Sequence, residues 1–319
     1  MLRPEISVVI PVYNEAENVP DLHRELTTAL ERLARPYEII VVDDGSQDGT
    51  LQALQRLEAQ DEHLRVLRLR RNFGQTAAFS AGFDHAQGEI VITSDGDLQN
   101  DPADIPMLVA KLEEGYDIVC GWRFERQDTL ARRWPSQMAN WLISWATGVK
   151  LHDYGCSLKA MRAEVVRGIK LYGEMHRFIP AVASWMGVAL AEVKVNHRAR
   201  TRGTSKYGLG RTLRVLLDLF TVKFLLNYAT RPAHLFGLWG LACGGAGGLI
   251  LLYLAFLKLA RDEAIGGRPL LFLGGLLFLT GLLLVMAGLM GELLVRIYHE
   301  SQGKPIYVVK EIPPESRGH

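Results

Sequence analysis

Two stretches without a charged side chain, Ala233 to Leu257 and Leu270 to Gly291, constrain this chain more than any other feature. They hold 25 and 22 residues. At about 1.5 Å of rise per residue, each exceeds the roughly 30 Å hydrocarbon core of a bilayer, which about 20 apolar residues suffice to cross. The sequence therefore predicts a two-helix transmembrane domain over 233–291, with spans 233–257 and 270–291 joined by a loop at Lys258–Pro269. Gly240, Gly244 and Gly248 recur every four positions, and Gly274, Gly281 and Gly288 every seven. Each set falls on one helix face where backbones can approach closely, which suits helix pairing within one protomer or in a homo-oligomer.

The chain before these spans mixes charged and apolar residues as a soluble α/β domain does. The formal net charge is +1, so Lys and Arg are matched by Asp and Glu and nothing points to a nucleic-acid binder. Ile6–Tyr13 is too short for the apolar region of a signal peptide and runs into Asn14-Glu15, so the large domain is expected in the cytoplasm. Two spans then return the tail, 292–319, to that side. Arg211, Arg214, Lys223 and Arg231 before the first span and Arg296, Lys304 and Lys310 after the second agree, although Lys258, Arg261 and Arg268 in the loop reduce the asymmetry. Cys120, Cys156 and Cys243 lie far apart and form no C-x-x-C pair, which argues against a disulfide framework or a zinc site. Over 208–232, Leu213, Leu216, Leu217, Phe220, Phe224 and Leu225 recur at helical spacing opposite Arg211, Arg214, Asp218 and Lys223. That pattern suits an amphipathic helix in the membrane interface, or one packed on the domain.

Within 1–207, short β-branched runs alternate with helical patterns. The runs are Ile6–Val12, Glu38–Val42, Leu64–Leu69, Glu89–Thr93 and Asp117–Cys120, with helices such as Val19–Leu33 and Thr50–Glu58 between them. Alternation of this kind predicts βαβ units and a mostly parallel sheet. Ligands of such sheets sit beyond the carboxyl ends of the strands, where this chain places Tyr13-Asn14-Glu15, Asp43-Asp44-Gly45-Ser46, Arg71-Asn72-Phe73-Gly74 and Asp95-Gly96-Asp97.

The last of these is open to two readings, a metal site or an acidic turn. As an EF-hand, Asp95, Asp97 and Gln99 would require Gly at the sixth position and Glu at the twelfth, which are Asn100 and Pro106 here. Calcium-sensor chemistry is excluded. Two carboxylates at a strand end, with Gly96 permitting a sharp turn, suit Mg²⁺ or Mn²⁺ completed by substrate phosphates and water. Neither G-x-x-x-x-G-K-[ST] nor a strand-linked G-x-G-x-x-G is present. The other acidic turns have carboxylates for ribose hydroxyls or base edges, yet Ser46 or Asp48 also fits a cap for a helix starting at Thr50. His152, His176 and His197 show no ligand spacing and read as surface or core residues.

Taken together, VVIPVYNE (8–15), VVDDGSQDGT (41–50), RNFGQ (71–75), SDGDLQNDP (94–102), HDYGCSLKAMR (152–162) and RGTSKY (202–207), followed by the paired apolar helices, resemble the family-2 nucleotide-sugar glycosyltransferases of the GT-A fold. The likeness is to their polyprenyl-phosphate members, bacterial undecaprenyl-phosphate transferases and dolichyl-phosphate mannose synthases. That resemblance implies transfer of a sugar from a nucleotide sugar to polyprenyl phosphate at the cytoplasmic face of the inner membrane, with UDP-glucose as the leading donor and GDP-mannose or UDP-4-deoxy-4-formamido-arabinose as alternatives. It further implies that Asp95, Asp97 and Gln99 hold Mg²⁺ or Mn²⁺, and that Pro11, Tyr13, Glu15, Asp44 and Asp95 contact the nucleotide. Arg123, Arg132 and Ser136 would hold the lipid phosphate, and Arg200 and Lys206 would lie near the transferring diphosphate. Asp153 would act as base or orient the acceptor, alongside Asp97 and Arg123 in catalysis. Two departures stand out: Gly96, where relatives often have Ala, and Thr204, where many have Glu.

A phosphate acceptor with a second pKa of about 6 is largely ionised at neutral pH, so it has less need of a base than an alcohol has. The heavier demand is electrostatic: two anions must meet and a diphosphate must leave. A polysaccharide synthase would share the acidic turns but would add Gln-x-x-Arg-Trp and further spans; Arg133-Trp134 lacks that Gln. A non-catalytic scaffold is the alternative of another class.

Overall fold

The computed structural model describes residues 3–124, 140, 143–144, 147–171, 175–198, 232–262 and 264–302. The chain divides into two compact units, 1–223 and 224–319. The helix expected over 208–232 lies, apart from Pro232, outside the described residues.

In the first unit the described residues form a seven-stranded sheet in the order β3-β2-β1-β4-β6-β5-β7. The strands are β1 (Ile6–Val12), β2 (Tyr37–Asp43), β3 (Leu64–Arg68), β4 (Ile90–Thr93), β5 (Ile118–Arg123), β6 (Lys159–Arg162) and β7 (Leu190–Val195). β1 and β4 are buried along their whole length, as central parallel strands covered on both faces must be. β6 alone runs antiparallel, between β4 and β5. Its sequence, Lys-Ala-Met-Arg, has no β-branched residue, and neither it nor β7 is among the runs that the sequence picks out.

Helices α1 (Val19–Glu31), α2 (Thr50–Glu58), α3 (Gln75–His85) and α4 (Ile105–Glu113) follow in chain order between the strands. Leu22, Leu26, Ala29 and Leu30 form the buried stripe of α1, and its leucines share a core with Ile6, Val8, Ile10 and Val12 of β1, Leu54 of α2 and Leu108 and Leu112 of α4. The opposite face of β1 meets α3, where Gly82 lies against Val9 and Val42. Two shorter helices, α5 (Ala163–Gly168) and α6 (Ile179–Ala183), follow β6.

Register shapes the ligand rim. β1 pairs with β2 out to Val12↔Asp43, but with β4 only as far as Val9↔Thr93. Past Val9 the β4 side of β1 is therefore free of a partner strand, and Pro11, which has no N–H to donate, fits there. Between β1 and β4 the connections also change direction, β1 leading outward to β2 and β3 on one side while β4 lies on the other. That is the switch point at which open α/β sheets hold ligands.

The second unit is a pair of long helices, α7 (Pro232–Arg261) and α8 (Pro269–Gln302). Leu235–Arg261 and Pro269–Leu294 are long and apolar enough to cross a membrane. α8 continues past Gly291, so the first part of the expected tail is helical. The helices pair within the chain: a Cβ on Gly281 would lie 2.3 Å from the Gly244 nitrogen, and one on Gly240 would lie 2.8 Å from the Gly281 oxygen. The contact then passes to Gly247 rather than Gly248, because 3.6 residues per turn carries a strict four-residue stripe off the seam.

Candidate active site

The loops after β1 and β2 are fastened to each other. Asn14, with φ at 55°, donates from its amide to Ser46 Oγ (2.9 Å) and accepts at Oδ1 from the Gln47 amide (2.9 Å). Glu15 N donates to Thr50 Oγ1 (2.9 Å), and Glu15 Oε2 accepts from Asn18 Nδ2 (2.6 Å). Gly49 stands at the N-cap of α2, and Asp48 rather than Ser46 supports the helix start, accepting from Thr50 N at 2.9 Å. Tyr13 and Glu15 thus stand half-buried at the rim on a braced loop, with Pro11 buried behind them.

Asp44 is 3% exposed, and its two oxygens accept the amides of Phe73 (2.8 Å) and Gly74 (2.9 Å). Burial pushes its carboxyl above the usual range against the pull of those amides. Its observed role is to hold the turn that opens α3, and nucleotide contact would use a carboxylate already engaged on both oxygens. Gly45 makes this turn possible: its φ is 72°, and a Cβ there would lie 2.5 Å from the Arg71 carbonyl carbon. Asp43, absent from the sequence expectations as a site residue, is fully buried; Oδ1 accepts from Ser46 N (3.0 Å), and Oδ2 has no hydrogen-bond partner.

Asp95 and Asp97 come just after β4, which ends at Thr93. Gln75 Nε2 donates to Asp95 Oδ1 at 2.6 Å. Burial, and next the charge of Asp97, push the Asp95 carboxyl above its ordinary range, while Ser157, Lys159 and Arg123 act in the other direction. Asp97 Oδ1 accepts from the Gln99 amide at 3.3 Å. Gly96 does not make the turn; Leu98 does, at φ 60°. What requires glycine at 96 is proximity, since a Cβ would meet Val12 Cγ1 at 2.6 Å. Among the described residues no three His, Cys, Asp or Glu side chains converge as a full metal cage. Two carboxylates with an amide nearby instead match a hard cation that takes its remaining ligands from substrate phosphate and water.

Asp153 lies under Arg123. Arg123 Nε donates to Asp153 Oδ2 (2.7 Å) and Nη2 to Oδ1 (2.9 Å), and Gly155 N adds a bond to Oδ1 (3.0 Å). The carboxylate is 3% exposed and the Arg123 side chain 14%. Burial works against the Arg123 charge, but the hydrogen bond and charge of Asp153 outweigh it, and its pKa rises. On the other side of the strand Trp122 stacks on His152 (4.2 Å), whose Nδ1 meets Glu192 Oε2 (2.8 Å). His176 is buried against Thr76 (2.7 Å), and His197 bridges to Asn100. Residues missed by sequence reasoning are Gln75, Ser157 and Lys159. The last is a lysine 2% exposed on β6, donating to the Cys156 carbonyl. Burial pushes the Cys120 thiol up to about 12 and Cys156 up to about 11, so both remain neutral thiols. Arg132, Arg133, Ser136, Arg200, Thr204 and Lys206 lie outside the described residues.

Residues 7–169 match the model of "Glycosyl transferase family 2". A dodecaprenyl-phosphate galacturonate synthase from Rhizobium johnstonii is 46% identical over 316 residues, covering 97% of this chain and 93% of its own. An undecaprenyl-phosphate 4-deoxy-4-formamido-L-arabinose transferase from Pseudomonas aeruginosa is 40% identical, covering 96% and 90%. Among solved structures, a glucosyl-3-phosphoglycerate synthase from Mycobacterium tuberculosis, in complex with Mn²⁺, UDP and phosphoglyceric acid, aligns with a TM-score of 0.55 at 22% identity, covering 69% of this chain and 78% of that one. That likeness identifies the GT-A fold.

Proposed function

This chain belongs to glycosyl transferase family 2 and is a polyprenyl-phosphate sugar transferase; from that premise we propose that it moves a uronic acid, galacturonate, from UDP to polyprenyl phosphate at the cytoplasmic face of the inner membrane. The observation that supports this reading is identity, 46% to the galacturonate synthase against 40% to the formamido-arabinose transferase at nearly equal coverage. The 46% match runs through both the acidic loops and the paired apolar helices, across 97% of the chain. UDP-glucose, the donor first expected, has no counterpart in the names of these two relatives, which mention galacturonate and formamido-arabinose.

In this reading Asp95, Asp97 and Gln99 hold Mg²⁺ or Mn²⁺, with Tyr13, Glu15 and the Asp44 turn around the nucleotide. The cation, when bound, neutralises the departing diphosphate. Arg123 presents a permanent charge to the acceptor phosphate, with Arg132 and Ser136 beside it in role, and Arg200 and Lys206 serve the diphosphate. An acceptor oxygen, already ionised, attacks the anomeric carbon as the bond to the diphosphate oxygen breaks, which inverts the centre. Asp153 positions Arg123 rather than taking a proton, because four donors engage its buried oxygens, the Arg123 amide among them.

A donor panel tests the sugar. Purified protein with short polyprenyl phosphate and Mn²⁺ is expected to consume UDP-galacturonate in preference to UDP-glucose, GDP-mannose and UDP-4-formamido-arabinose. Preferred turnover of any other donor overturns the assignment. Asp97→Ala is expected to abolish metal-dependent transfer.

A further inference from the structure

The segment leaving β7 returns to the loop that carries the acidic pair. Asn196 donates from N to Asp104 Oδ2 (2.7 Å) and from Nδ2 to Asp104 Oδ1 (2.8 Å). His197 forms an antiparallel bridge with Asn100. Arg198 N donates to the Gln99 carbonyl (2.9 Å), and its guanidinium spans Glu25 Oε2 of α1 (2.6 Å) and Asp101 Oδ2 (2.8 Å). Three consecutive residues thus bond to the 99–104 stretch.

That stretch needs outside support. Leu98 sits in the left-handed region, which a side chain adopts only when its surroundings enforce it. Within the loop, the Gln99 amide bond to Asp97 is long, at 3.3 Å. The Leu98 backbone sets where Gln99 stands relative to Asp97, and the Gln99 carbonyl is the point at which Arg198 takes hold.

We propose that Arg198 is a positioning residue for the divalent cation: its main-chain amide holds the Gln99 carbonyl, as that of any residue but proline would, and its guanidinium ties Asp101 to α1, which holds the metal loop in its binding geometry before the cation arrives. This rests on the reading of Asp97 and Gln99 as metal ligands. Lysine can meet one of the two carboxylates but cannot reproduce the planar fork that meets both.

The test uses the full-length protein in detergent, with Mn²⁺ binding followed by electron paramagnetic resonance and with steady-state kinetics. Because the Arg198 side chain is 41% exposed, its ion pairs are individually weak, and Arg198→Ala is expected to raise the Kd for Mn²⁺ about 3- to 10-fold. The KM for polyprenyl phosphate and the metal-free melting temperature are expected to stay near wild type. Arg198→Lys should recover part of the loss. Asp101→Asn should weaken Mn²⁺ binding similarly, and the double variant should be no worse than either single one, as for two ends of one contact. Unchanged Mn²⁺ binding in Arg198→Ala overturns the proposal, and so does a proportionate loss of metal and lipid affinity with a lowered melting temperature. If Asp97→Ala still binds Mn²⁺, the metal-site reading itself fails. If Asp97→Ala loses Mn²⁺ while Arg198→Ala keeps it, only the role of Arg198 fails.

Discussion

Gly96 and Val12 meet where β1 outruns β4, and the space between them is smaller than a methyl group. A Cβ at 96 would lie 2.6 Å from Val12 Cγ1 and 3.3 Å from the Pro11 oxygen. Gly96→Ala is therefore expected to cost about 1–3 kcal/mol through overpacking and to weaken Mn²⁺ binding, as urea unfolding and metal titration would register. Val12→Ala in the same chain should restore much of both. A Gly96→Ala variant as stable as wild type would show that β1 yields at its end. Asp153→Asn tests the neighbouring cation. Removing one charge of a buried pair is expected to cost about 3 kcal/mol, raise the KM for polyprenyl phosphate and leave the shape of the pH–rate profile unchanged. Loss of the acidic limb with lipid affinity intact would return Asp153 to the role of base.

At the scale of elements, the α7–α8 hairpin separates glycines that are packed from glycines that are open. Gly281 lies against Gly240 and Gly244, whereas a Cβ at Gly245 or Gly275 would meet nothing within 4 Å. Gly281→Val should lower the melting temperature in detergent and depress transfer to lipid without changing UDP affinity. Gly245→Leu should be tolerated in a protomer that works alone. If it instead disrupts an assembly seen by light scattering, the open face pairs copies of the chain.

The molecule as a whole has a legible half and an illegible one, divided by physics rather than by position. β1, β2 and β4 read from sequence because they are buried almost throughout, which forces apolar β-branched runs. β6 does not, since it carries Lys159 into the interior, and β7 does not because Glu192 and Lys194 interrupt a half-buried edge. The rim carboxylates are legible because strand ends are legible. Their partners are not: Gln75 with Asp95, and Arg123 with Asp153, are contacts between distant parts of the chain that no local pattern records. Chelation gives a global readout of the site. With UDP present, stripping Mn²⁺ that had been supplied at a hundred times its Kd should remove about 2.7 kcal/mol of stability, restored when Mn²⁺ is returned. A melting temperature indifferent to chelator would count against a resident cation.

The reversed strand has a consequence for exchange between relatives. β5 climbs to the rim and ends at Arg123, while β6 descends from it, beginning at Lys159. Lys159 pairs with Cys120 and Met161 with Ile118, so the chain leaves the sheet at Arg123 and rejoins it three residues lower. The four strands that frame the acidic loops end before the intervening 124–158 begins. Exchanging 124–158 for the equivalent segment of a relative should therefore leave UDP affinity with the host, as titration of the nucleotide would register.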